Sequence, residues 1–176
     1  MVLDTSADLS VDQYRVFGNP IYQSKSPSIH KAFAQATKQH LNYQAQLVAE
    51  DEFEDTVTAF FASGGKGLNI TVPFKQRAFA MAQTLSPAAQ KAEAANTLYL
   101  NNQGQLVADN TDGMGLVRDI CSNLSGEIKA KRILVLGAGG AVRGVLQPIL
   151  AQLPKQVVIA NRTFSKAQTL AASFAN

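Results

Sequence analysis

The chain has 176 residues, 46% hydrophobic and 16% charged, which excludes a disordered chain with few apolar residues and a large net charge. No apolar run approaches the ~20 residues a bilayer requires, so no membrane partner is expected. Cys121 is the single cysteine, which excludes an intramolecular disulfide and a cysteine-based zinc site and favours a reducing, cytoplasmic setting. The net charge of +3 hides an uneven distribution. Residues 1–128 carry 9 basic and 13 acidic side chains, whereas residues 129–176 carry 7 basic and no acidic ones. A positive segment of this kind suits an anionic ligand. Nucleic acid is disfavoured, because only Phe164 and Phe174 accompany those cations and a single-strand platform interleaves more rings.

Met1 to Asp12 is acidic, lacks the basic-then-apolar order of a secretory signal, and reads as a frayed leader. Tyr14 to Phe17 predicts a short strand ending at the turn Gly18-Asn19-Pro20. Ser26 as N-cap and Pro27 at the first helical position predict a helix with Ile29, Phe33 and Ala36 on one stripe. Tyr43, Ala45 and Leu47 alternate as in a half-buried strand. Asp51 opens a helix with the stripe Phe53, Val57, Phe60 and Phe61, stopped by Gly64-Gly65. Leu68 to Val72 predict a strand, and Pro73 the start of a helix carrying Phe74, Ala78 and Met81. Pro87 to Ala95 is read as a helix, and Thr97–Leu100 with Leu106–Ala108 as a hairpin. Alternating strands and helices indicate an α/β fold with a largely parallel sheet.

A helix over about 112–123 leads to the apolar strand Ile133–Leu136, the turn Gly137-Ala138-Gly139-Gly140-Ala141, and a helix to about Leu153. The apolar strand Val157–Ala160 and a helix from Ser165 to Phe174 complete a βαβα unit, the opening of a Rossmann-like nucleotide-binding domain. The chain thus divides into residues 13–111 and residues 112–176. Backbone amides at a helix N-terminus receive a pyrophosphate, and missing side chains let it approach closely. The motif alone is weak, since Val142 holds the third glycine position of G-x-G-x-x-G, but its strand–turn–helix context strengthens it. An NAD site wants an acidic residue at the end of the second strand, about 20 residues after the glycines. This chain has Asn161-Arg162-Thr163 there, with Lys166 close behind. A guanidinium grips a 2′-phosphate that a carboxylate would repel, so the expected cofactor is NADP(H).

Three short polar stretches fall where strands end and helices start. They are Ser24-Lys25-Ser26, the set Asn69, Thr71 and Lys75, and Asn96 with Asp109-Asn110-Thr111-Asp112-Gly113. Each alone has a plain structural explanation as a cap, a turn or a solvated charge. Together they can surround a small polyhydroxylated acid. His30 and His40 have no acidic cluster at ligand spacing, so no metal is expected, and His30 is read as a residue that packs or that supports the site from behind. Cys121 lies in an apolar helical stretch and is read as inert core.

The ordered motifs Gly18-Asn19-Pro20, Ser24-Lys25-Ser26-Pro27 with His30, Asn69-Ile70-Thr71-Val72-Pro73-Phe74-Lys75, Asn96-Thr97-Leu98 and Asp109 to Gly113 closely resemble those of the shikimate dehydrogenase family. Gly137 to Ala141 and Asn161-Arg162-Thr163 match its cofactor domain. The resemblance runs from about residue 13 to the last residue. It implies a substrate-binding α/β domain followed by the first part of an NADP-binding domain, and the interconversion of 3-dehydroshikimate and shikimate with NADP(H). By the same resemblance, Ser24 and Ser26 would hold the substrate carboxylate, and Thr71, Asn96 and Asp112 the ring hydroxyls. Lys75, paired with Asp112, would handle the proton that accompanies hydride transfer, as donor or as electrostatic anchor. Gly137, Ala138, Gly139, Gly140 and Ala141 would receive the pyrophosphate. Arg162, with Asn161, Thr163 and Lys166, would bind the adenosine phosphate; the family often has arginine at the Lys166 position, and lysine loses its bidentate geometry. The resemblance also implies later strands and a returning C-terminal helix, so the chain reads as a truncated member that self-associates, with a homodimer left open, and has little turnover. A quinate/shikimate dehydrogenase of broader specificity and a non-catalytic NADP-binding module are the alternatives.

Overall fold

The computed structural model describes residues 11–174. Most of the expected acidic leader therefore lies outside the described residues. In chain order the elements are β1 (Asp12–Gly18), α1 (Ser26–Thr37), β2 (Leu41–Leu47), α2 (Phe53–Ala62), β3 (Gly67–Ile70), α3 (Lys75–Met81), β4 (Thr84–Leu85) and α4 (Pro87–Ala92). They continue as β5 (Thr97–Leu100), β6 (Leu106–Asp109), α5 (Asp112–Arg118), β7 (Arg132–Leu136), α6 (Gly140–Leu150), β8 (Gln156–Ala160) and α7 (Phe164–Ala172). The fold class is α/β, as the alternation of elements predicts.

The first sheet has six strands in the order β2-β1-β3-β5-β6-β4. It is largely parallel, as expected, with β5 alone running against the other five strands. β1 runs parallel to β2 and β3, and β4 to β6, whereas β5 is antiparallel to both β3 and β6; the hairpin Asn101 to Gln105 reverses the chain between β5 and β6. The core lies where this sheet meets α2 and α3. Phe17, Leu68, Ile70, Leu98 and Ala108 from the strands close on Phe53, Val57, Phe60, Phe74 and Ala78. Phe53 and Phe74 stack with ring centroids 4.5 Å apart, and the Arg77 guanidinium covers both at 5.3 and 5.7 Å. Arg77 also forks onto Glu54, and those hydrogen bonds hold the Glu54 carboxyl below its ordinary value against the opposing effect of burial.

Several local expectations need correction. Ser26 is not the cap of α1; Lys25 holds that position, and the Ser24 hydroxyl accepts from the Ser26 amide at 3.3 Å instead. The stripe expected of α1 does not face the core, since Ile29 and Phe33 are exposed and Ala34 is its buried residue. Asp51 sits in a 3₁₀ turn, Glu50–Glu52, ahead of α2. β3 stops at Ile70, and Pro73 lies in the turn before α3, with no amide proton to continue a ladder. Thr71 is thus beyond the strand that was expected to hold it. α4 ends at Ala92 because Glu93 adopts a left-handed conformation at φ 48°. Cys121 is exposed, on a π-helical turn (Asp119–Asn123) that extends α5, and is not core.

β7 and β8 form a second, parallel pair joined by α6, a right-handed crossover being the expected hand of such a unit. Leu134, Leu136 and Val158 lie exposed on one face, while Leu146, Ile149, Ala167 and Leu170 of α6 and α7 are buried on the other side. α5 packs directly on α6. That contact requires two residues without side chains. A methyl group on Gly113 would stand 2.4 Å from the Gly144 carbonyl oxygen and 2.5 Å from Pro148 Cγ, and one on Gly144 would stand 2.9 Å from Asn110 Oδ1. Gly113→Ala should therefore push α5 off α6 and lower stability by about 1–3 kcal/mol, the usual cost of overpacking. Urea unfolding measures it, and an unchanged midpoint would contradict the close packing.

Candidate active site

One end of the large sheet collects the polar residues. The segments after β1, β3 and β6 leave from that end, and Asn96 enters β5 beside it, because β5 runs antiparallel to β3. Backbone hydrogen bonds fix these segments to one another. The Thr71 amide donates to the Phe17 carbonyl at 2.9 Å and the Asn19 amide to the Val72 carbonyl at 2.9 Å. The Ile70 amide donates to the Asn96 carbonyl at 2.8 Å, and the Ala95 amide to the Lys75 carbonyl at 2.8 Å.

Lys75, the first residue of α3, reaches Asp112, the first residue of α5: Nζ lies 2.5 Å from Oδ2, with the side chains 14% and 25% exposed. A carboxylate at a helix N-terminus is favoured by the helix dipole as well as by the cation. Asn96 is the hub beside this pair. Its amide nitrogen donates to Asp112 Oδ1 at 2.8 Å and to Thr111 Oγ1 at 2.9 Å, and its oxygen accepts from the Thr97 hydroxyl at 2.8 Å and the Thr111 amide at 3.1 Å. Asn110, a buried polar residue, accepts from the Asp112 amide at 3.1 Å and donates to the Ala94 carbonyl at 2.9 Å. Both ends of the amide are satisfied, so its orientation is fixed. Asp112 is held from both sides.

A second polar chain runs from Asn96 through Asn69 to Tyr43. The Tyr43 hydroxyl donates to Asn69 Oδ1 at 2.6 Å, and the Asn69 nitrogen donates to the Asn96 carbonyl at 3.3 Å. Burial pushes the Tyr43 phenol up to about 12, moderated by hydrogen bonding with Ser26. His30 stacks on Tyr43 with centroids 4.1 Å apart and planes 4° apart, which bears out its reading as a packing residue; burial lowers its pKa. Ser24, Ser26, Thr71, Lys75, Asn96 and Asp112 are thus gathered on the linked segments of one sheet end. Asn69, Thr97, Asn110 and Tyr43 join the network, and Tyr43 is the one that sequence reasoning placed only as a strand residue.

The glycine turn lies beside the same cluster. A methyl group on Gly140 would stand 3.8 Å from the β-carbons of Lys75 and Ala94. Gly137 has φ +116°, a backbone conformation that suits glycine, and its amide donates to the Ala160 carbonyl at 2.7 Å. Gly139 caps the eleven-residue α6 without a side chain, and a methyl group there would meet nothing within 4 Å. A cavity of about 380 Å³ opens here, lined by Ala138, Gly139, Gly140 and Lys166 together with Gln76, Arg143, Ser165 and Thr169. Amides at a helix N-terminus, two cations and hydroxyls make a donor set that fits a phosphate-bearing dinucleotide. Asn161, Arg162 and Thr163 are not part of this lining; the Asn161 side-chain nitrogen Nδ2 donates to the Thr163 carbonyl at 2.8 Å, and Arg162 is exposed with no salt bridge among the described residues. Arg143 was missed, although its place three residues after Gly140 puts it over the turn; it also pairs with Glu93 at 2.5 Å, tying α6 to the end of α4. Among the described residues no group of histidines, cysteines or carboxylates could hold a metal ion, and no helix is long and apolar enough to cross a membrane.

A mixed six-stranded sheet with a polar cluster at one end, set against a parallel β7–α6–β8 unit with a glycine turn, defines a two-part α/β chain with a Rossmann-like second part. Two family profiles match it: "Shikimate dehydrogenase substrate binding domain" over residues 16–98 and "Shikimate / quinate 5-dehydrogenase" over residues 119–176. The chain belongs to the shikimate dehydrogenase family. It is 60% identical over 163 residues to the shikimate dehydrogenase (NADP(+)) of Cellvibrio japonicus, an alignment covering 93% of this chain and 59% of that protein. The crystal structure of shikimate dehydrogenase from Aquifex aeolicus superposes with a TM-score of 0.87 at 33% identity, covering 94% of this chain and 61% of that one. The Thermus thermophilus enzyme, solved in complex with NADP(H) and shikimate, gives 0.84 at 28% identity over 93% of this chain and 61% of that one. The chain thus spans about 60% of the length of the relatives it matches.

The phenol network yields a direct test. A folded-state pKa raised to about 12 means that Tyr43 favours the folded state fully below about pH 10, where phenols normally titrate, and loses that contribution as pH rises through about 12. Ultraviolet titration of the four tyrosines should show one late phase near pH 12 that Tyr43→Phe removes. Ionisation of all four below pH 11 with the fold intact would contradict the network.

Proposed function

We propose that this chain carries the substrate site and the cofactor-phosphate site of an NADP-dependent oxidoreductase that interconverts 3-dehydroshikimate and shikimate. Residues 13–111 form the substrate-binding part and residues 112–176 the cofactor-binding part. The observation that supports this most is the placement of Lys75, which pairs with Asp112 while its β-carbon borders the glycine turn. One residue then adjoins both the polyol-binding cluster and the cofactor cleft.

The paired hydroxyls of Ser24 and Ser26 hold the substrate carboxylate at the start of α1. Thr71, Asn96 and Asp112 hold the ring hydroxyls, a set of donors and acceptors matched to a polyol. When bound, NADPH supplies the hydride. The chain's part is to manage charge and proton at the carbonyl oxygen. Lys75 directs its ammonium there, stabilises the oxygen as it becomes an alkoxide, and gives it a proton. Asp112 keeps that ammonium in place and, through Asn96 and Asn110, keeps itself in place. The neutral amine regains its proton from solvent, which reaches the partly exposed side chain. Gly137 to Ala141 receive the pyrophosphate, and Asn161, Arg162, Thr163 and Lys166 bind the 2′-phosphate; this is the arrangement that selects NADP(H) over NAD(H). The lone thiol of Cys121 accords with a reducing cytoplasm.

Calorimetric titration of NADPH and shikimate, followed by a turnover assay, tests the reading. Lys75→Ala should leave NADPH affinity within about twofold and reduce turnover at least about a hundredfold, the usual share of a positioned acid. Arg162→Ala should weaken NADPH binding by tenfold or more, on the order of one charge-assisted bond, and NADH binding hardly at all. Failure of the unaltered chain to bind shikimate would contradict the proposal. Binding of both ligands without turnover would favour a non-catalytic binding module.

A further inference from the structure

We propose that Tyr43 is a positioning residue of the substrate site, acting through Asn69. The inference rests on the reading of the polar cluster as the shikimate site. Tyr43 lies on β2, at the edge of the sheet, and Asn69 on β3, with β1 between them. Neighbouring strands lie about 4.8 Å apart, so a hydrogen bond from β2 to β3 must cross about 9.6 Å. The register pairs Tyr43 with Tyr14 and Tyr14 with Gly67, while Asn69 stands two residues further along β3 on the same face. A tyrosine laid diagonally across β1 is long enough to make that crossing.

The ring is held for the task. Its stack on His30 is nearly parallel at 4.1 Å, and His30 is itself set edge-on to Phe33 at 5.9 Å and 81°. The hydroxyl at its tip donates to Asn69 Oδ1 at 2.6 Å. Asn69 in turn donates to the Asn96 carbonyl at 3.3 Å and approaches the Thr97 hydroxyl, which donates to Asn96 Oδ1 at 2.8 Å. Asn96 then holds Asp112, and Asp112 holds Lys75. One tyrosine therefore stacks on α1 through His30 and reaches the hydroxyl end of the site, at Asn96, through Asn69. Without the hydroxyl, Asn69 Oδ1 loses its donor and the side chain is held through its nitrogen alone. None of this requires the phenol to touch substrate.

Tyr43→Phe removes the oxygen and keeps the stack on His30. In the ligand-free protein, the side-chain amide resonances of Asn69 should shift, while the melting temperature stays within a few degrees. Shikimate binding should weaken about five- to thirtyfold, the consequence of leaving one polar group without its partner, with NADPH affinity unchanged. Asn69→Ser should lose a similar factor, and the double variant should lose no more than the larger single loss, because both changes break one link. Multiplying losses in the double variant, or equal shikimate affinity in Tyr43→Phe and the unaltered chain, would overturn the role of Tyr43 alone. Absence of shikimate binding by the unaltered chain would overturn the substrate reading, and this inference with it.

Discussion

The contact between Lys75 and Asp112 is the one on which the rest of the site depends. The two residues are 37 positions apart and open different helices, so the pair forms only if β3, β5 and β6 stand in their observed register. Taking an ammonium and a carboxylate out of water is costly unless their remaining hydrogen-bonding capacity is met. Here the second carboxylate oxygen is met by Asn96, and the Asp112 amide by Asn110. Sheet topology, two asparagines and one ion pair are in this sense a single device.

The same device fixes where the second unit sits. Asn110 and Gly113 flank Asp112, and both touch Gly144 of α6 across a gap too narrow for a methyl group. The turn from Gly137 to Gly140 is thereby brought beside Lys75, and Arg143 draws α6 onto Glu93. Two of the seven cations of residues 129–176, Arg143 and Lys166, line the cavity at the N-terminus of α6. Charge, dipole and small residues act in the same direction there. A phosphate would find donors in place before it arrives.

Much of this was legible in the sequence, for reasons that can be named. β7, the glycine turn and β8 form short local units whose apolar runs and turn chemistry leave few alternatives. The stripe Phe53, Val57 and Phe60 is buried as its period predicts. The Lys75–Asp112 pair was legible only through the family's motifs, since nothing local links positions so far apart. The failures have physical causes too. The period of α1 gave a face, but a period does not say which face finds a partner, and Ile29 and Phe33 remain exposed. β3 was read too long because Thr71 and Val72 are β-formers, whereas their backbone bonds go to Phe17 and Asn19 in the approach to a turn. Cys121 was read from the apolar residues around it, yet it sits on an exposed π-helical turn. Tyr43 escaped notice as a site residue because its partners lie on α1 and β3, a relation that strand alternation cannot express.

Whether the ammonium and the carboxylate act on a ligand as one unit is best decided by a double-mutant cycle read in shikimate affinity. Lys75→Met and Asp112→Asn would be measured singly and together by calorimetry. If the two groups work as a unit, the double variant loses at least tenfold less than the product of the single losses, a coupling of about 1.4 kcal/mol. Losses that simply multiply would mean that the two side chains meet the ligand independently, and the account built on their contact would fail.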